Sequence, residues 1–127
     1  MKKSIAITMM VMLLVGFVAY AKNTASMKMS ETVWDFGTIK QKSPVSHEFT
    51  FTNTGDGNLV ILDATAECGC TTPEYPKGEI APGEKGTISV TYNPYGRPGG
   101  FIKKVTVRCN GKTQKTNLKI RGTVIPR

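Results

Sequence analysis

Val45-Ser46-His47-Glu48-Phe49-Thr50-Phe51-Thr52 alternates between two kinds of side chain. Val45, His47, Phe49 and Phe51 fall on one side, and Ser46, Glu48, Thr50 and Thr52 on the other. Successive side chains of an extended backbone point to opposite faces, so a period of two marks a strand with one buried face. Asn53-Thr54-Gly55-Asp56-Gly57-Asn58 then turns the chain, because Asn, Asp and Gly tolerate the backbone conformations that tight turns require. Leu59 to Ala66 reads as the next strand, with Val60, Leu62 and Ala64 facing one way.

The same punctuation continues to the end of the chain. Pro82-Gly83-Glu84-Lys85-Gly86 is a turn that launches Thr87 to Tyr92, where Ile88, Val90 and Tyr92 share a face. Asn93 to Gly100 is too rich in Pro and Gly for regular structure. Phe101, Val105, Val107 and Cys109 line one face of a further strand, and Asn110-Gly111 is a two-residue hairpin signal. A last strand spans Lys115 to Ile125 with Leu118, Ile120 and Val124 inward, and a first lies around Met29 to Trp34. No window of about 11 residues carries a helical period, so helices should be nearly absent. About seven short antiparallel strands with alternating faces predict an all-β, immunoglobulin-like β-sandwich. The antibody arrangement of cysteine, tryptophan and cysteine is missing, since Trp34 precedes all three cysteines.

Upstream of the strands, Met1-Lys2-Lys3 leads into an apolar run from Ile5 to Val18 that ends in Ala19-Tyr20-Ala21. A basic end, a short apolar core and small residues at the cut site form a secretory signal. An apolar core of about 14 residues is too short to span a bilayer, which needs about 20. The expected organisation is a cleaved signal peptide over 1–21, a flexible polar lead-in over 22–27 and one sandwich domain over 28–127. The product would be periplasmic or secreted, with no stable membrane span. The chain carries 17 basic and 9 acidic residues, a net charge of +8, and the bases are spread through it. A nucleic-acid binder would carry a dense basic stripe, so no nucleic-acid partner is expected.

Three cysteines enter an oxidising compartment on this reading. Cys68-Gly69-Cys70 sets two sulfurs at positions i and i+2, which an extended chain projects from one face. Three readings follow: a thiolate pair for copper or zinc, a disulfide involving one of them, or small buried packing groups. Two sulfurs fall short of the four ligands of a structural zinc site. Cys109 is either a core thiol or a partner for Cys68 or Cys70. His47, the lone histidine, lies on a core face and reads as a packed or edge residue rather than a ligand.

No nucleophile elbow, carboxylate pair or phosphate loop is present, so no enzymatic activity is expected. Asp35-Phe36-Gly37 lacks every other part of a kinase and reads as a strand ending in a turn, with Phe36 and Ile39 over the core. Among the aromatic residues, Trp34, Phe36 and Tyr92 are assigned to the core. Tyr75 and Tyr95 lie in loops and are the candidates for an exposed binding contact. The expected function is an exported, non-enzymatic binding module contacting another envelope protein or surface component. The alternative is a thiol redox or copper-handling protein built on Cys68 and Cys70.

Several of these segments together resemble the bacterial domain of unknown function 1573. The resemblance rests on Trp34 to Ile39, His47 to Gly55, Leu59-Val60-Ile61 and Cys68-Gly69-Cys70-Thr71. It continues through Pro82 to Gly86, Val90-Thr91-Tyr92, Gly99-Gly100-Phe101 and Val105-Thr106-Val107. It implies an exported Ig-like sandwich, related in architecture to PapD chaperone and cilia-associated domains. Cys68 and Cys70 match the family's hallmark pair. No catalytic residue is implied.

Overall fold

A computed structural model describes residues 23–126, so the signal peptide expected over 1–21 lies outside the described residues. Eight strands form: β1 (Met27–Met29), β2 (Val33–Lys40), β3 (Val45–Asn53), β4 (Ile61–Ala66), β5 (Thr71–Glu74), β6 (Lys85–Tyr92), β7 (Gly99–Cys109) and β8 (Lys115–Ile125). The described residues contain no helix, and hence none long and apolar enough to cross a membrane.

The strands make two four-stranded sheets, in the orders β1-β3-β6-β5 and β2-β8-β7-β4. The core lies between them. From β3 and β6 it takes Phe49, Phe51, Ile88, Val90 and Tyr92; from β7 and β8 it takes Phe101, Val105, Val107, Leu118, Ile120 and Val124. Tyr92 and Phe101 stack across the two layers with ring centroids 3.9 Å apart. The predicted sandwich is therefore the fold, and the inward faces read from β3, β6, β7 and β8 are the buried ones.

Five details depart from the sequence reading. The single first strand is two, because Ser30 to Thr32 carry the chain from one sheet to the other. The second, β2, runs on past Gly37 to Lys40 and pairs with β8 in parallel, Val33 opposite Lys119 and Ile39 opposite Val124. A register shift between Asp35 and Thr38 interrupts it, with Gly37 at φ +70° and its N–H donating to Asp35 Oδ1 at 2.8 Å. Phe36 and Ile39 do pack on the core. In β4 the expected phase is inverted at its start: Leu59 and Ile61 are buried while Leu62 is 55% exposed. A register shift between Ile61 and Asp63 returns Ala64 and Ala66 to the inner face.

The Asn110-Gly111 signal makes a five-residue loop instead of a two-residue one. Asn110 is drawn to the neighbouring turn, accepting from the Val60 N–H at 2.8 Å and donating to the Asn58 carbonyl at 3.1 Å. The stretch expected to be a flexible lead-in is tied down over Thr24 to Ser26. Ala25 is buried, its carbonyl accepts from the Lys112 N–H, and the Thr24 and Ser26 carbonyls accept from Asp56 and Thr54. Gly55 permits this approach, since a Cβ there would stand 2.1 Å from the Thr24 oxygen. Asn53 anchors the same corner. Its Oδ1 accepts from the Ser26 and Gly55 N–H groups, and its Nδ2 donates to the Gly57 and Ile80 carbonyls.

Candidate functional site

Glu67 to Cys70 carry the chain from β4, an edge of one sheet, to β5, an edge of the other. At this crossing Cys68 and Cys70 are joined by a disulfide, with Cα atoms 5.2 Å apart, inside the usual range for a bridge. Gly69 forms the tip, with open space beside its Cα. The Cys70 N–H donates to Cys68 Sγ at 3.2 Å, the Thr71 N–H to the Cys68 carbonyl at 3.1 Å, and the Asn93 N–H to the Cys70 carbonyl at 2.9 Å. Cys70 is buried and Cys68 half-buried against the core. Two of the three sequence readings thus meet here: the sulfurs are bonded and they also pack. Among the described residues no group of three His, Cys, Asp or Glu side chains is placed to hold a metal.

Cys109 stays a buried free thiol, its Sγ 3.3 Å from the Thr113 carbonyl. Along the β4–β7 pair, Cys109 lies opposite Ile61 while Val105 lies opposite Ala66, the residue nearest the bridge. The two sulfur positions therefore sit at opposite ends of the strand pair. Closing a loop as short as Cys68 to Cys70 removes little unfolded-chain entropy, about 1.5 kcal/mol against roughly 3 for a 15-residue loop.

The two candidate tyrosines do not form one platform. Tyr75 is half-buried, its hydroxyl 3.5 Å from the Leu62 carbonyl of β4 and Lys77 Nζ 3.7 Å above its ring. Tyr95 is 76% exposed and borders a shallow depression with Lys40, Gln41 and Lys42 beyond the end of β2. Since β2 and β4 are opposite edges of one sheet, the rings stand on opposite sides of the molecule. Trp34 is not a core residue: it is 37% exposed and stacks on the His47 imidazole at 4.0 Å, 3° from parallel. Phe49 stands at right angles to that imidazole, ring centroids 4.8 Å apart, and the Glu31 carboxylate hydrogen-bonds Nε2. The alternation placed His47 inward, as found, but gave no sign of Glu31, which comes from the crossing between β1 and β2.

The remaining feature is the sheet edges. β1 offers three residues. β5 contains Pro73, which has no N–H to donate to an added strand. β4 is irregular and lies beside Tyr75. β2 spans eight residues and has β8 as its only partner among the described residues. Val33 and Trp34 are exposed along it. Beside it, Gly37, Gly100 and Gly122 open a groove of about 610 Å³ with Asp35, Phe101, Ile102 and Arg121 on its walls.

A two-sheet, all-β sandwich with open edges is an immunoglobulin-like fold. Residues 27–124 match the family described as "Protein of unknown function (DUF1573)", and the chain belongs to that family. None of the curated proteins matches it. Among solved structures, a protein of unknown function from Porphyromonas gingivalis W83 superposes with a TM-score of 0.70 at 17% identity, over 83% of this chain and 50% of that one. This chain thus spans about half that protein's length. The PapD-like domain 7 of human CEP192 gives 0.64 at 13% identity, covering 82% and 88%. The YadV chaperone gives 0.52 at 17%, covering 79% and 51%. At these identities the likeness concerns the fold.

Proposed function

We propose that the chain is an exported, non-enzymatic binding module that takes an envelope-protein partner along the free edge of β2. The observation that carries this is the contrast among the four edges. An edge strand presents unpaired N–H and C=O groups, and folded proteins blunt such edges. Here β1 and β5 span three and four residues, β5 with a proline, and β4 lies beside Tyr75, while β2, eight residues long and shifted in register at Gly37, is left with exposed Val33 and Trp34. Strand addition would place a partner's extended segment beside β2, with side chains reaching the glycine-lined groove. Likeness to a chaperone fold and to a PapD-like domain supports a binding role. The periplasmic or secreted location rests on the N-terminal signal pattern, and a mature N-terminus at Lys22, read by mass spectrometry, is its test.

The edge is tested with a photo-crosslinking residue at Thr38 on β2 or at Thr72 on β5, in cells producing the chain. A defined partner peptide joined at Thr38, absent at Thr72 and lost when Val33→Lys is added to the Thr38-labelled chain, supports the proposal. Equal labelling at both strands, or none at either, removes it.

The half-buried Cys68 and the small stabilisation expected of so short a loop favour a second reading, in which the bridge opens and closes as a thiol couple. Alkylation after graded glutathione treatment decides it. Thiols that appear only when the protein unfolds make the bridge structural.

A further inference from the structure

The outer face of the β2-β8-β7-β4 sheet carries an arrangement the binding-edge proposal does not use. Its rows follow from strand register. Asp35, Arg121 and Ile102 lie side by side; then Val33, Lys119 and Lys104; then Asn117, Thr106 and Thr65; then Lys115, Arg108 and Asp63. All lie on the side opposite the buried Val105, Val107, Leu118 and Ile120. Two pairs of like charges therefore stand directly opposite each other across the central strands, Lys104 with Lys119 and Arg108 with Lys115. Such pairs oppose strand pairing, because Cβ atoms in these positions are only about 5 Å apart.

The flanking strands relieve part of this. Asp63 binds the Arg108 guanidinium through contacts of 3.0 and 3.1 Å, which holds the Asp63 carboxyl below its usual range. Asp35 binds Arg121 at 3.2 Å. Both guanidiniums are drawn outward, away from the middle of the sheet. Lys104, Lys115 and Lys119 make no ion pair among the described residues. The Glu67 carboxylate accepts from the backbone N–H of Lys104 at 3.0 Å. Between the rows that hold the three lysines lies a polar row in which Thr106 Oγ1 donates to Asn117 Oδ1 at 3.1 Å.

We propose that this face binds an anionic polysaccharide, its carboxylate, sulfate or phosphate groups seated between Lys104, Lys119 and Lys115 and its hydroxyls on Asn117, Thr106 and Thr65. Charge complementarity selects the anion, since a bound anionic group replaces the cross-strand repulsion with attraction. The polar row selects a glycan over a bilayer, because a membrane-inserting face would place apolar side chains where Asn117 and the threonines stand. Polyglutamate and single-stranded DNA carry the charge without the dense ring hydroxyls of a polysaccharide, so they separate attraction by charge alone from recognition of a glycan by the central row.

The test is binding of the full mature chain to polygalacturonate, with phosphatidylglycerol vesicles, polyglutamate and a single-stranded DNA oligonucleotide as competing probes. Lys104→Gln/Lys119→Gln should weaken polygalacturonate binding at least tenfold and raise the melting temperature by relieving the repulsion. The charge-matched control Lys28→Gln/Lys85→Gln, two exposed lysines flanking Thr52 on the other sheet, should change binding less than twofold. Thr106→Val should weaken polygalacturonate binding severalfold and leave any vesicle binding unmoved. Equal losses in the two double variants, no polygalacturonate binding, or tighter binding to vesicles, polyglutamate or DNA would each overturn the proposal.

Discussion

Asn53 occupies the last inward position of β3, two residues beyond Phe51, and there the alternating pattern meets a polar side chain. Both amide atoms are saturated by four backbone groups from the lead-in, the following turn and the Ile80 segment. Asn53→Asp would set an oxygen against the Gly57 and Ile80 carbonyls, and a buried group left without its partner costs about 1–3 kcal/mol. The expected result is a loss of about 3 kcal/mol in urea unfolding; an unchanged midpoint would show that the corner tolerates it. The sequence reading gave Asn53 to the turn, and neither its inward position at the end of β3 nor its partners were legible, because those partners come from segments distant in sequence. Tyr92 gives a pH effect. Burial against Phe101 raises its phenol above the ordinary value of 10.0, while Arg97 partly offsets the rise. A folded-state pKa above the unfolded one gives stability that is present below pH 10 and lost as pH rises through the folded value. Tyr92→Phe should therefore remove part of the alkaline destabilisation expected above about pH 10 in melting curves.

Strands with a plain alternation and one buried face were legible in their inward residues: β3, β6, β7 and β8 bury the side the pattern assigns, although β3 runs on to Asn53 and β6 and β7 begin at Lys85 and Gly99, residues read as turn or loop. The elements that interrupt themselves were not. β2 contains a register shift at Gly37, β4 one after Ile61, and β5 is four residues around a proline, so none presents a clean period of two. Of the candidate site, Cys68 and Cys70 were legible as a pair and Tyr95 as exposed. The depth of Tyr75 and the Trp34–His47–Glu31 cluster depend on how loops fold back, which spacing does not report. Element packing also makes a prediction at Gly86, where a Cβ would stand 2.5 Å from the ring of the fully buried Phe51. Gly86→Ala should cost about 1–3 kcal/mol by overpacking, read as a lower thermal midpoint. A companion Phe51→Leu change should recover part of that loss relative to Phe51→Leu alone.

At the scale of the whole molecule, the two sheets hold together through a shared core, with the bridge as a local clamp at one crossing. Cys68→Ala/Cys70→Ala should lower stability by about 1.5 kcal/mol and leave a folded sandwich, because the closed loop is short. Loss of cooperative unfolding in that variant would mean the crossing organises far more of the fold than its loop length implies. The parallel pairing of β2 with β8 has a further consequence. β8 lies between β2 and β7, so during synthesis β2 emerges early and finds no neighbour in its sheet until residues 115–125 follow. A chain ended at Gln114 should show no cooperative melting by circular dichroism, and the complete chain should fold in milliseconds to seconds, as sandwiches closed by distant pairings do. A nascent polypeptide built this way remains threadable for nearly its whole length, and it locks only once its last strand has cleared whatever pore it passes through.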